Sequence, residues 1–143
     1  MKQFIFSFLL LGVAFTTQAK EPGNQLAGVW TNYPQNIRIE FYQTSNSYSA
    51  KIVWLLAPDD PQGNPKRDHN NPDPGKRDRL ILGLNLITGL TGAGDEWNGG
   101  RIYAPKRGVY ADCSVKVISD NVLKLTVKKG LFTDTKIWTR VQP

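Results

Sequence analysis

The chain is 143 residues long, with 18 lysines and arginines against 12 acids, one cysteine and one histidine. One cysteine excludes an internal disulfide and a cysteine-rich zinc site, and one histidine excludes a multi-histidine metal centre within the chain and argues against a catalytic triad. The bases are scattered singly and in pairs, often beside acids, which describes a solvated surface, so nucleic acid is not an expected partner.

The chain opens "MKQFIFSFLLLGVAFTTQA", a lysine, an apolar run from Phe4 to Phe15 and a small residue at Ala19. That is the order of a secretory signal, and the run is short for a bilayer span. Residues 1–19 are therefore expected to be removed as a signal peptide. Residues 20–143 then remain as a single domain with a net charge of about +5. No cysteine follows the apolar run, so a lipoprotein anchor is not expected. The mature protein should be periplasmic or secreted, and not membrane-spanning.

The mature sequence reads as short strands separated by turn residues. A short strand around "GVW" (Gly28 to Trp30) comes first, followed by "IRIEFY" and "YSAKIVW". Joined by a tight turn at Ser45-Asn46, these two set Ile37 against Trp54, Ile39 against Ile52 and Phe41 against Ala50 on the inner face. The same register sets Glu40 against Lys51 outside, an opposite-charge pair.

Between Asp59 and Arg79 stand five acids, five bases and four prolines. Apolar chain resumes after them without a second core, so a linker is not expected. The run Asn71-Pro72-Asp73-Pro74-Gly75 supplies turn chemistry, and an ordered loop over one end of the fold is expected. No calcium loop fits, because Asp73 stands where an EF-hand needs glycine. The stretch from Leu80 to Leu90, broken by Gly83 and Gly89, reads as a strand or an irregular buried segment.

"GRIYAPKRGVYAD" reads as a hairpin around Pro105 to Gly108. It pairs Ile102 with Ala111 inside, and Tyr103 with Tyr110 and Arg101 with Asp112 outside. A second hairpin around Ser119-Asp120-Asn121, taken as a three-residue loop, pairs Val117 with Leu123, Val115 with Leu125 and Cys113 with Val127. Asp112 then stands between Arg101 and Lys128, a structural charge row. A last strand, "TKIWTRV", ends the chain.

About eight short antiparallel strands, each with one apolar face, close into a barrel or pack as a sandwich. In a barrel the first and last strands are neighbours, so Trp30 can stack beneath the Arg140 guanidinium. "TGAGDEWNGG" lacks the spacing of a phosphate loop, and the pairs Asp59-Asp60 and Asp95-Glu96 lie in expected loops.

"GVW" with the late arginine resembles the signature of lipocalins and their calycin relatives. "NPD" with "LILGL", then "WNGGRIYAPKRGVYADC" and "WTRV", resembles a bacterial family catalogued as domain of unknown function 2147, from about Gly28 to Val141. The resemblance implies an exported protein with a lipocalin-like fold, and it carries no functional residues over. The chain departs from the family's pattern at "KKGLFTDTKIW" and at the Val-Tyr after Gly108.

The expected fold is an all-β, antiparallel up-and-down β-barrel of about eight strands, lipocalin/calycin-like, with one long ordered loop. The expected function is binding of a small apolar or amphipathic ligand, with no catalysis, no metal and no cofactor. Gly100, Ala111 and Cys113 are small enough to leave an inner pocket. The alternative is an envelope adaptor or inhibitor with a filled barrel that acts through its loops on a protein partner. Candidate ligand contacts are Trp54, Asp73, Arg77, Arg79, Trp97, Asn98 and Arg101; Gly28, Trp30, Cys113 and Arg140 are expected to be structural.

Overall fold

The computed structural model describes residues 25–143; the signal peptide expected over residues 1–19 lies outside the described residues. Eight strands follow in chain order: β1 (Gly28–Asn32), β2 (Ile37–Gln43), β3 (Tyr48–Leu55), β4 (Asn85–Ala93), β5 (Glu96–Ala104), β6 (Val109–Ser119), β7 (Val122–Lys129) and β8 (Phe132–Arg140). Each pairs antiparallel with the next, and β8 closes on β1 to form a barrel. A three-residue 3-10 turn, Pro74–Lys76, is the helical element among the described residues.

Period-two alternation decides which side chains fill the barrel. Ile39, Phe41, Ala50 and Ile52 enter from the first hairpin, Ile87, Leu90 and Trp97 from β4 and β5, and Cys113, Val115, Val117, Leu123, Leu125 and Trp138 from β6 to β8; all are buried. In the first hairpin Phe41 opposes Ala50, Glu40 opposes Lys51 and Ile39 opposes Ile52, as the two-faced pattern requires. The turn is closed by the Thr44 amide donating to the Ser47 carbonyl at 2.8 Å.

One residue breaks that register. A bulge between Arg38 and Ile39 leaves Val53 unpaired and sets Trp54 opposite Arg38, with Leu55 opposite Ile37. A one-residue slip moves every later side chain to the other face. Trp54 therefore stands on the outside of the barrel, where strict alternation places it inside. A second bulge lies between Val117 and Ser119, so Ser119 pairs with Val122 and Ile118 turns outward. The loop there is the two-residue Asp120-Asn121, shorter than the three residues expected.

Gly100 does not hollow the interior. A β-carbon on Gly100 would lie 2.6 Å from Leu90 Cδ2 and 2.8 Å from Cys113 Sγ, so those side chains already occupy the space. Gly100→Ala is expected to cost about 1–3 kcal/mol by overpacking, read as a lower melting temperature. An unchanged melting temperature would mean that the interior has slack at this point.

The stretch from Leu80 divides in two. Strand β4 begins at Asn85, and the residues before it are held on β3 by the Ile52 amide donating to Leu84 O at 2.9 Å and the Gly83 amide to Ile52 O at 2.8 Å. The long β3–β4 loop is ordered, its backbone tied by the Asp68 amide to Arg79 O at 3.0 Å and the Lys66 amide to Pro58 O at 2.9 Å. It lies against the outer wall, where Tyr103 and Gly108 meet Asp68 and Asn70. Gly108, at φ +63°, leaves no room for a β-carbon beside the Asn70 carbonyl, which is how the loop can approach so closely.

Candidate binding groove

The bulge in the first hairpin creates an outward apolar surface. Val53 and Trp54 on β3, Val29 on β1 and the tail residues Val141 and Pro143 line a groove of about 570 Å³, together with Gly28, Arg38, Gln142 and Arg140. The tail is held along β1 by the Val141 amide donating to Val29 O at 2.8 Å. Two guanidinium groups border this apolar surface. Arg38 lies over the Trp54 ring at 4.7 Å, and among the described residues no carboxylate lies within ion-pair distance of it.

Arg140 has a second task. Its guanidinium lies 4.2 Å from the Trp30 ring centre and donates to the carbonyls of Asp120, Ala27 and Gln25 at 2.6, 2.8 and 2.6 Å. Trp30 Nε1 in turn donates to Leu26 O at 3.0 Å, so the chain before β1 folds across this end of the barrel. Gly28 is required beneath the stack: at φ +120°, a β-carbon there would lie 2.7 Å from Arg140 Nη1. Desolvation lowers the Arg140 pKa from its ordinary value, and the nearby Asp120 charge acts in the opposite direction.

Three of the candidate ligand contacts, Asp73, Arg77 and Arg79, serve the loop itself. Asp73 caps the 3-10 turn by accepting from the Gly75 amide at 2.9 Å, and Arg77 Nε donates to Asn71 O at 2.8 Å. Arg79 Nε donates to Asp68 at 3.0 Å. Asp68 has no solvent exposure and is the centre of the loop. It also accepts from Tyr103 Oη at 2.7 Å and Asn71 Nδ2 at 2.8 Å. Desolvation acts to raise its pKa, but these three hydrogen bonds and the Arg79 charge together hold it below the ordinary aspartate value. Burial and the Asp68 carboxylate push the Tyr103 phenol up to about 12, so it remains the donor.

Arg101 lies on the same outer wall, 4.4 Å from the Tyr110 ring centre, and Tyr110 packs on Tyr103 at 4.7 Å. Asp112 is paired in register with Arg101 on one side and Lys128 on the other, as the charge row requires. Trp97 is buried in the core edge-on to Tyr48, with centroids 4.8 Å apart, while Asn98 is exposed at a bulge in β5. Cys113 is buried, and desolvation together with Asp112 pushes its thiol up to about 12, which makes it a packing group. Trp138 Nε1 is buried without a protein acceptor among the described residues.

Of the seven candidate contacts, Trp54 alone lines the groove. Alternation missed Arg38, Val53 and the tail because it had turned Trp54 inward. The available signal was "IVW", three consecutive apolar residues where a half-exposed strand should alternate.

A closed eight-stranded antiparallel barrel with almost no helix is a lipocalin-like architecture. Over residues 28–140 the chain matches the family described as "Uncharacterized protein conserved in bacteria (DUF2147)", and it belongs to that family. Among solved structures it is similar to protein HP1028 from Helicobacter pylori, described as belonging to the lipocalin family. The two share 25% sequence identity with a TM-score of 0.68, over 82% of this chain and 83% of that one. A search of curated proteins returned no match.

Proposed function

We propose that the protein is an exported, non-catalytic binding protein for a small amphipathic anion, held in the groove on the outer wall. The observation that carries this reading is the pairing of an apolar groove of about 570 Å³ with the Arg38 and Arg140 guanidinium groups. That volume lies in the usual range for small-ligand sites, which combine apolar walls with a few polar groups. An aliphatic tail would lie along Val29, Val53, Trp54 and Val141, and a carboxylate, sulfate or phosphate head would meet Arg38.

The test is titration with dodecanoate, dodecyl sulfate and the neutral alcohol of the same length, monitored by calorimetry, with tryptophan fluorescence as a second readout for variants that keep Trp54. The anions are expected to bind and the alcohol to bind at least about tenfold more weakly. Arg38→Gln should erase that preference, and Trp54→Ala should weaken all three probes by about tenfold. Absence of binding by every probe, together with native mass spectra showing no bound molecule, would end this reading.

The close packing of Leu90 and Cys113 around Gly100 supports a second reading, an envelope adaptor that works through its outer surfaces on a protein partner. Crosslinking in intact cells from positions in the 59–79 loop would separate the two. A specific protein adduct, with no lipid-like molecule in the groove, supports the adaptor.

A further inference from the structure

The connections β1–β2, β3–β4, β5–β6 and β7–β8 all emerge at one pole of an up-and-down barrel. At this pole the β7–β8 hairpin stands clear on its β1 side. β8 pairs with β1 only over Trp138 to Arg140, while from Phe132 to Ile137 it pairs with β7 alone. The hairpin ends in the rung Lys129 to Phe132 with a two-residue turn, Gly130-Leu131, and Gly130 takes the required φ of +60°.

The turn carries an apolar tip where a polar residue would serve the fold equally well. Leu131 is 105% exposed and Phe132 59%, so neither gains much from packing within the chain. Tyr33, 90% exposed, and Leu56, 66% exposed, stand in the β1–β2 and β3–β4 connections of the same pole. Basic groups share this hairpin and pole: Lys128, Lys129 (its Nζ donating to Tyr110 O at 2.8 Å) and Lys136 (paired with Asp134 at 3.5 Å) on the hairpin, and Lys106 and Arg107 in the β5–β6 turn. Asp112 and Asp134 are the acids of these strand ends, and the β3–β4 connection at the same pole adds five acids and five bases that balance, so the excess positive charge comes from the hairpin and the β5–β6 turn.

Apolar and aromatic tips sharing a pole with lysines match the chemistry of a bilayer interface, where Leu, Phe and Tyr enter the headgroup level and lysines meet lipid phosphates. We propose that this pole docks on an anionic lipid surface, with Leu131 and Phe132 inserted and Lys128, Lys129, Lys106 and Arg107 against the phosphates. A second copy of the chain is a poorer occupant, because an isologous contact would bring the same positive groups together.

The test is flotation of the mature protein with vesicles of phosphatidylcholine alone and with about one-third phosphatidylglycerol. Binding is expected only to the anionic vesicles, and it should fall as salt is raised. Leu131→Ser with Phe132→Ser should lower the partition coefficient at least about tenfold. Lys128→Gln with Lys129→Gln should lower it by a similar factor and flatten the salt dependence. Circular dichroism of both variants should match the parent, because the altered side chains are exposed. No binding to anionic vesicles, or binding indifferent to both pairs of substitutions, overturns the proposal. Loss of a lipid-free dimer in the Leu131→Ser, Phe132→Ser variant, without vesicle binding by the parent, overturns it in favour of self-association. None of the four substituted residues lines the groove, so their effect on vesicle binding is separable from ligand binding there.

Discussion

Replacing Asp68 with alanine should release the long loop from the barrel wall at a cost of about 3 kcal/mol or more. The substitution strands three donors that now converge on one carboxylate: Tyr103 Oη, Asn71 Nδ2 and Arg79 Nε. Two of them, on Tyr103 and Asn71, belong to buried residues, where an unmade hydrogen bond costs most. Trypsin reads the loss directly, because the loop offers Lys66, Arg67, Lys76, Arg77 and Arg79. If cleavage follows the open population, the rate should rise about 100-fold. Equal cleavage of parent and variant would show that Asp68 does not fasten the loop.

The same carboxylate sets a pH dependence. Its folded pKa lies below its unfolded value, so the unfolded form binds the proton more readily. The stabilisation is therefore fully present above the ordinary aspartate pKa and is lost as pH falls through the folded value. Loop protection should be constant near neutrality and weaken in acid. Asp68→Asn should remove that acid dependence while keeping the side-chain shape, since an amide does not titrate; it also weakens the loop at every pH, because one of the two accepting oxygens becomes an NH2 donor. A parent whose protection is flat down to the lowest accessible pH would refute the assignment.

The other large effect is expected at the closed end of the barrel. Trp30→Ala removes a fully buried side chain and leaves the Arg140 guanidinium without the ring beneath it. Large aromatic truncations in cores cost about 3–5 kcal/mol, which for a barrel of this size is a fall of roughly 10–20 °C in melting temperature. Trp30→Phe keeps the ring and loses the hydrogen bond to Leu26 O, so it should recover most of the loss. If alanine and phenylalanine melt alike, ring stacking is not what holds this end.

Much of the barrel was legible because its hairpins obey two independent constraints at once. Phe41 against Ala50 inside and Glu40 against Lys51 outside select one register, and Cys113 against Val127 with Asp112 against Lys128 select another. The adjacency of Trp30 and Arg140 followed from closure alone. The groove was less legible, because one bulged valine inverts Trp54 and no local turn residue announces it. The loop's seat was hidden for a different reason. Tyr103 alternates outward as expected, but it is buried by Asp68, a residue 35 positions away whose partners depend on tertiary contact. Charged residues that looked available to a ligand turned out to be fasteners.

The ladder that closes the barrel spans only Trp30 to Asn32 against Trp138 to Arg140, while β7 and β8 pair along the whole hairpin. A cylinder has no strand edges, and one that parts along its shortest ladder acquires two. Opened there, the protein would present β1 and β8 as unpaired edges with apolar faces, ready to join those of another chain. The stack of Arg140 on Trp30 sits on that ladder. It therefore also guards against aggregation, by keeping the sheet from exposing the edges through which it could polymerise.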